Sequence, residues 1–263
     1  MPFFRAGPGI YFFAHVPKCA GSSVEDYLRD RFGRPGFVDN RFVQRPEAER
    51  WTRTSPQHAD WATVERLFGP DFFDGAFAVV RHPLSRAVSA YHFQVEVEKT
   101  APAGIGFGDW LQEMRARQAR EPFAIDNHFR PQVDFLPPGC ALFHLEHGVD
   151  ALVPYLDRLT GTTGGPRAIG HANRRGSGGG SGGGKDSGKA APDPAAVALV
   201  AEIYAEDFRR LGYRPDSPDP AAAPPALDPR SVAEAAADRA RSARPDRRLV
   251  ARVRRKVRRW AGA

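Results

Sequence analysis

Two continuous apolar runs stand out along the chain, residues 10–16 (IYFFAHV) and 76–80 (AFAVV). Each has strand length and no polar alternation, the pattern of a strand covered on both faces. Residues 140–145 (CALFHL) form a third such run. After each run the pattern changes to a helical period. Val24, Tyr27 and Leu28 share a face after the first, Val88 and Tyr91 after the second, and Leu152, Val153, Leu156 and Leu159 after the third. Trp61, Val64, Leu67 and Phe68 keep the same spacing before the second run, and residues 197–211 predict one amphipathic helix with Val200, Ile203, Tyr204, Phe208 and Leu211 in register. Residues 34–56 have little periodicity and read as loops. Strands alternating with helices predict an α/β fold: a mostly parallel sheet flanked by helices.

Breaks in this pattern set the domain organisation. Residues 176–188 read GSGGGSGGGKDSG, which cannot bury apolar surface. The regular beat is that of an engineered linker or of a natural low-complexity insert. Residues 216–229 are rich in Pro and Ala. The chain of 263 residues therefore divides into one domain over 1–214 with a flexible insert at 176–191, a linker at 215–230 and a basic helical tail at 231–263.

Charge sharpens this division. The net charge is +7, yet residues 239–263 hold eleven Lys or Arg against the single acid Asp246, so the other 238 residues sum to −3. The basic character belongs to the tail, and a nucleic-acid partner for the folded body is not expected. Within the tail, Leu249, Val253, Val257 and Trp260 fall on one helical face among arginines. That pattern suits anionic lipid or an acidic partner, and equally a solvated, weakly formed helix. Two cysteines, Cys19 and Cys140, are too few for a disulfide framework and suit a reducing compartment. The early apolar run is too short to span a bilayer. The expectation is a cytoplasmic protein, with any membrane contact made by the tail at the inner face. The Ala, Arg, Gly and Pro bias is that of a GC-rich bacterial genome.

The chemistry concentrates in the loops after the first two strands. Pro17-Lys18-Cys19-Ala20-Gly21-Ser22-Ser23 joins a strand to a helix N-terminus, where free amides and the helix dipole favour an anion. Ala20 and Gly21 allow close backbone approach, Ser22 and Ser23 offer hydroxyls and Lys18 a full charge. The plain alternative is a helix capped by Ser22 or Ser23 with a solvated lysine. The loop is not a Walker A motif, which places its lysine after the glycines. A near-match at 183–190 (GGKDSGKA) lacks the magnesium-binding hydroxyl and a preceding strand. The second strand delivers Arg81 at its carboxyl end, the ligand-binding edge of open α/β sheets, with Ser89 eight residues on. A guanidinium fork and a hydroxyl suit a second phosphate. The plain alternative is that RHPLSR is an ordinary basic helix entry, with Arg86 as surface decoration.

Together, HVPKCAGSS (residues 15–23), RHPLSRAVSAY (81–91) and IYAEDFRRLGY (203–213) resemble the PAPS-dependent sulfotransferases, closest to the uronyl 2-O-sulfotransferase and carbohydrate sulfotransferase branch. The resemblance spans roughly residues 10–213. It implies a P-loop-like sulfotransferase fold and transfer of a sulfuryl group from PAPS to a carbohydrate hydroxyl, leaving PAP, with no metal. It assigns Lys18 to the bridging oxygen of PAPS, Cys19, Ala20, Gly21, Ser22 and Ser23 to the 5′-phosphate, and Arg81 and Ser89 to the 3′-phosphate. In-line transfer needs no covalent intermediate, so Cys19 is a loop residue rather than a nucleophile. A general base is needed, and His58 holds the place of the uronyl 2-O branch's histidine. Members of that branch can carry a second histidine where this chain has Pro56, a departure that bears on the acceptor. His128, in the polar cluster Asp126-Asn127-His128-Phe129-Arg130, is the rival base. Two other classes stay open on the residues alone: a P-loop kinase, which needs a magnesium-binding carboxylate near the loop, and a non-enzymatic module for anionic glycan or lipid.

Overall fold

In a computed structural model that describes residues 1–170 and 193–242, the three apolar runs pair side by side as parallel strands. They are β2 (Gly9–Ala14), β3 (Gly75–Val80) and β4 (Ala141–His144), with Ala14 opposite Ala78 and Val80 opposite His144. A fourth strand that the pattern did not announce, β1 (Phe3–Ala6), pairs antiparallel with β2, so the sheet runs β1-β2-β3-β4. Phe12, Phe13, Phe77, Ala78, Val79 and Val80 are essentially inaccessible, as continuous apolar strands require.

Helices flank the sheet. α1 (Gly21–Phe32) follows β2, α2 (Trp61–Phe68) precedes β3, and α3 (Pro83–Glu96) follows it. α4 (Phe107–Arg120), not foreseen from the sequence, buries Trp110, Leu111 and Met114, and α5 (Leu152–Thr160) follows β4. The helix expected over 197–211 is two: α6 (Pro194–Ile203) and α7 (Ala205–Leu211). They part at Tyr204, whose buried hydroxyl donates to the Phe129 carbonyl at 2.8 Å. Residues 34–56 form loops and short 3-10 turns, as their lack of period implies.

The last described helix, α8 (Pro229–Ser242), lies against the body. Arg167 grips Asp157 through both terminal nitrogens and Glu234 of α8 through Nε at 2.9 Å. Asp238 accepts from the Arg167 and Ala168 amides, and Ala235 is buried. The insert at 176–191, the Walker-like stretch at 183–190 and the amphipathic face at 247–260 lie outside the described residues. No described helix is long and apolar enough to cross a membrane.

Candidate active site

The loop after β2 arrives at α1 without a cap. Ala20, at φ 61°, precedes the helix, and neither Ser22 nor Ser23 caps it from outside, because both lie within its first turn. The capped-helix alternative therefore fails. The amides of Cys19, Ala20, Gly21 and Ser22 find no acceptor among the described residues, leaving a cluster of donors at the positive end of a helix dipole. Lys18 also sits in the left-handed region, at φ 69°. Its Nζ lies 3.7 Å from the centroid of the Phe93 ring. Gly21 is required by contact: a Cβ there would fall 1.8 Å from His15 Nε2.

Arg81 meets this loop. It leaves the carboxyl end of β3, and its Nη1 reaches the Lys18 carbonyl at 3.5 Å. Buried Gln132 holds its backbone at both ends, accepting from the Arg81 amide at 3.0 Å and donating to its carbonyl at 2.8 Å. The Cys19 thiol also donates to Gln132, and burial pushes that thiol up to about 12, which removes thiolate chemistry at neutral pH. Ser89 lies on α3 one turn before Phe93, hence on the helix face toward Lys18. The alternative that places Arg86 on the surface does not hold. Arg86 is fully buried, and donates to the carbonyls of Pro17, His128 and Arg130, which ties α3 to both the loop after β2 and the histidine segment.

His58 and His128 are not alternatives in separate places. Their ring centroids are 5.0 Å apart, and the His15 ring also lies 5.0 Å from that of His58. His58 ends a 3-10 turn (Pro56–His58), with Asn127 Nδ2 donating to its carbonyl. Its Nδ1 is 2.6 Å from Asp126, which also accepts from the Ser55 amide and hydroxyl at 2.6 Å each. Burial alone would raise the Asp126 carboxyl. His58 and Ser55 outweigh it and hold the group well below the usual carboxylate range. An ionised carboxylate can only accept, so His58 Nδ1 carries a proton, and in the neutral tautomer this leaves the lone pair on Nε2. Ile125, Asp126 and Asn127 all have positive φ, 45°, 55° and 62°. Strain of this kind costs about 1–3 kcal/mol per residue and gathers where a side chain must be aimed.

His128 is buried, and desolvation with nearby His58 holds its pKa well below the ordinary value, against the pull of Asp126. It is therefore a neutral imidazole, packed edge-on to Phe93 at 5.1 Å. His15 is buried too, lowered by desolvation although Glu25 contacts its Nδ1 at 2.6 Å. One ligating atom each from His58, Asp126 and His128 lie within 4.8 Å of one another. The Asp126 carboxylate in this group already accepts three hydrogen bonds, from the Ser55 amide and hydroxyl and from His58.

Asp126, Gln132, Arg86, Gln94 and the His15–Glu25 pair were not singled out in the sequence for these roles. Of these, only Asp126 stood in a stretch that the sequence marks as a polar cluster, residues 126–130.

The loops at the carboxyl end of the four-stranded sheet thus bring together the unpaired amides before α1, Lys18, Arg81 and the Asp126-held His58. A model of the sulfotransferase family matches residues 3–214, and the chain belongs to that family. No curated protein and no solved structure matches the chain.

Proposed function

We propose that the protein moves a sulfuryl group from PAPS to a hydroxyl of a carbohydrate or glycosylated metabolite, in the manner of the uronyl 2-O and carbohydrate branch, on a P-loop-like sheet edge in the cytoplasm. The observation that carries this is the meeting of two anion-binding elements, the uncapped loop at α1 and Arg81 at the end of β3, within one hydrogen bond of each other. A nucleotide phosphorylated at both ends of its ribose needs such a pair. The loop from Lys18 to Ser23 takes the 5′-phosphosulfate, while Arg81 and Ser89 take the 3′-phosphate.

His58 is the general base. Its Nε2 accepts the acceptor's hydroxyl proton while Asp126 stabilises the imidazolium that forms. The acceptor oxygen bonds to sulfur as the bond from sulfur to the bridging oxygen breaks. The electron pair leaves on the phosphate oxygen of PAP, where Lys18 meets the charge.

The test is thermal. PAP at about 100 times its dissociation constant adds roughly 2.7 kcal/mol to stability, and AMP far less. Equal melting shifts from PAP and AMP would remove Arg81 and Ser89 from their role and the donor with them.

A further inference from the structure

His128 carries a buried partner that the proton-transfer step does not use. Gln94 of α3 sits 2.9 Å from His128 Nδ1 through its Nε2, and its Oε1 accepts from the Thr100 hydroxyl. The Thr100 amide also donates to the Gln94 carbonyl at 3.0 Å, so the loop after α3 is folded back on this residue. Gln94 is 2% exposed, which removes water as a competing partner for its amide.

These bonds have a direction. With Oε1 taken by a hydroxyl donor, the side chain presents N–H to His128. A neutral imidazole facing a donor at Nδ1 must carry its proton on Nε2. The neighbouring imidazole has the opposite arrangement, because Asp126 draws the proton to Nδ1 of His58. Two adjacent rings 5.0 Å apart thus offer one lone pair and one N–H. A hydroxyl within reach of both Nε2 atoms would donate to the first, accept from the second and keep a further lone pair for attack. His128 also packs against Phe93, the ring over which Lys18 sits.

We propose that His128 is the hydrogen-bond donor that holds the acceptor oxygen, and that Gln94, anchored by Thr100, is a positioning residue that fixes it in the Nε2–H tautomer. The proposal rests on the sulfuryl-transfer reading for its ligand but not for its tautomer, so the two fail separately. A donor set in place before the acceptor arrives orients the attacking oxygen without moving a charge.

Long-range proton–nitrogen NMR on the full chain labelled at histidine reads the tautomer directly, with the His128→Phe spectrum assigning the signal. The expected result at pH 8 is neutral His128 protonated at Nε2. Protonation at Nδ1 overturns the proposal whatever the enzyme's activity, and a missing PAP melting shift would instead strike the donor assignment. Gln94→Glu presents only acceptors, so it should move the proton to Nδ1 and leave the PAP shift unchanged. PAPS cleavage with water as acceptor should then slow about 10-fold or more, the scale of one lost hydrogen bond in a transition state. A tautomer that does not move removes Gln94 from its role. A tautomer that moves with no change in rate removes His128 from its role.

Discussion

Asp126 gathers more constraint than any other side chain of the site: three hydrogen bonds, a left-handed backbone and a lowered carboxyl. Asn tolerates the left-handed region better than Asp's other substitutes, so Asp126→Asn changes the chemistry while sparing the backbone. The amide can donate to His58 Nδ1, which drives the proton to Nε2 and destroys the lone pair. Turnover should fall about 10²- to 10⁴-fold, as on loss of the base itself, with PAP binding kept. His58→Ala should do the same and His58→Gln should not rescue it. Normal single-turnover rates in either variant would sink the assignment. His128 gives a second prediction, in stability. The groups facing it are His58, Asp126, Lys18 and Arg86, and burial dominates. Its folded pKa is lowered, so below about 6.5 the unfolded chain binds a proton that the folded chain refuses. Its contribution is full above that pH and fades as pH falls, by about 1.4 kcal/mol per pH unit. Urea midpoints at pH 7.5 and 5.5 should drop less apart in His128→Phe than in the natural chain. Equal drops would mean that His128 is not a buried neutral imidazole.

At the scale of elements, α3 organises the site. Arg81 stands just before it, Arg86 crosses beneath it to three carbonyls, and Phe93 and Gln94 engage Lys18 and His128. Arg86→Leu strips buried carbonyls of Pro17, His128 and Arg130 of a shared donor, and should cost about 3 kcal/mol or more. Arg86→Lys, with one nitrogen in place of a fork, should recover only part of this. A urea midpoint within error of the natural chain would show the guanidinium to be dispensable. The same helix shows what the sequence could and could not disclose. Arg81 and Lys18 were readable because each closes an apolar run at a strand end, a local signal. Arg86 was not, because nothing in RHPLSR distinguishes an arginine facing inward from one facing water. β1 was too short to show a period, and the break at Tyr204 depends on a hydroxyl partner at Phe129, far away in the chain. Asp126 was masked by the histidine beside it, since its partners, Ser55 and His58, come from another part of the chain.

On the scale of the whole molecule, the boundary of the body falls later than the family match. The match ends at residue 214, yet α8 returns to the domain through the Arg167 side chain and the Arg167 and Ala168 amides. A truncation after Asp228 leaves those two amides without Asp238 and uncovers the surface under Ala235. It should lower stability by about 1–3 kcal/mol, the worth of two amide hydrogen bonds. A truncation after Ser242 keeps all of them and should leave the urea midpoint unchanged. Both should keep the difference between the PAP and AMP melting shifts, because every proposed donor contact precedes residue 90. The shorter deletion also removes most of the +10 charge carried by residues 239–263. Adsorption to anionic vesicles should therefore be lost in both truncations and, in the full chain, weaken as salt rises. Equal stability of the two truncations would make α8 a bystander, and vesicle binding that survives the shorter one would place the lipid contact on the body instead of the tail.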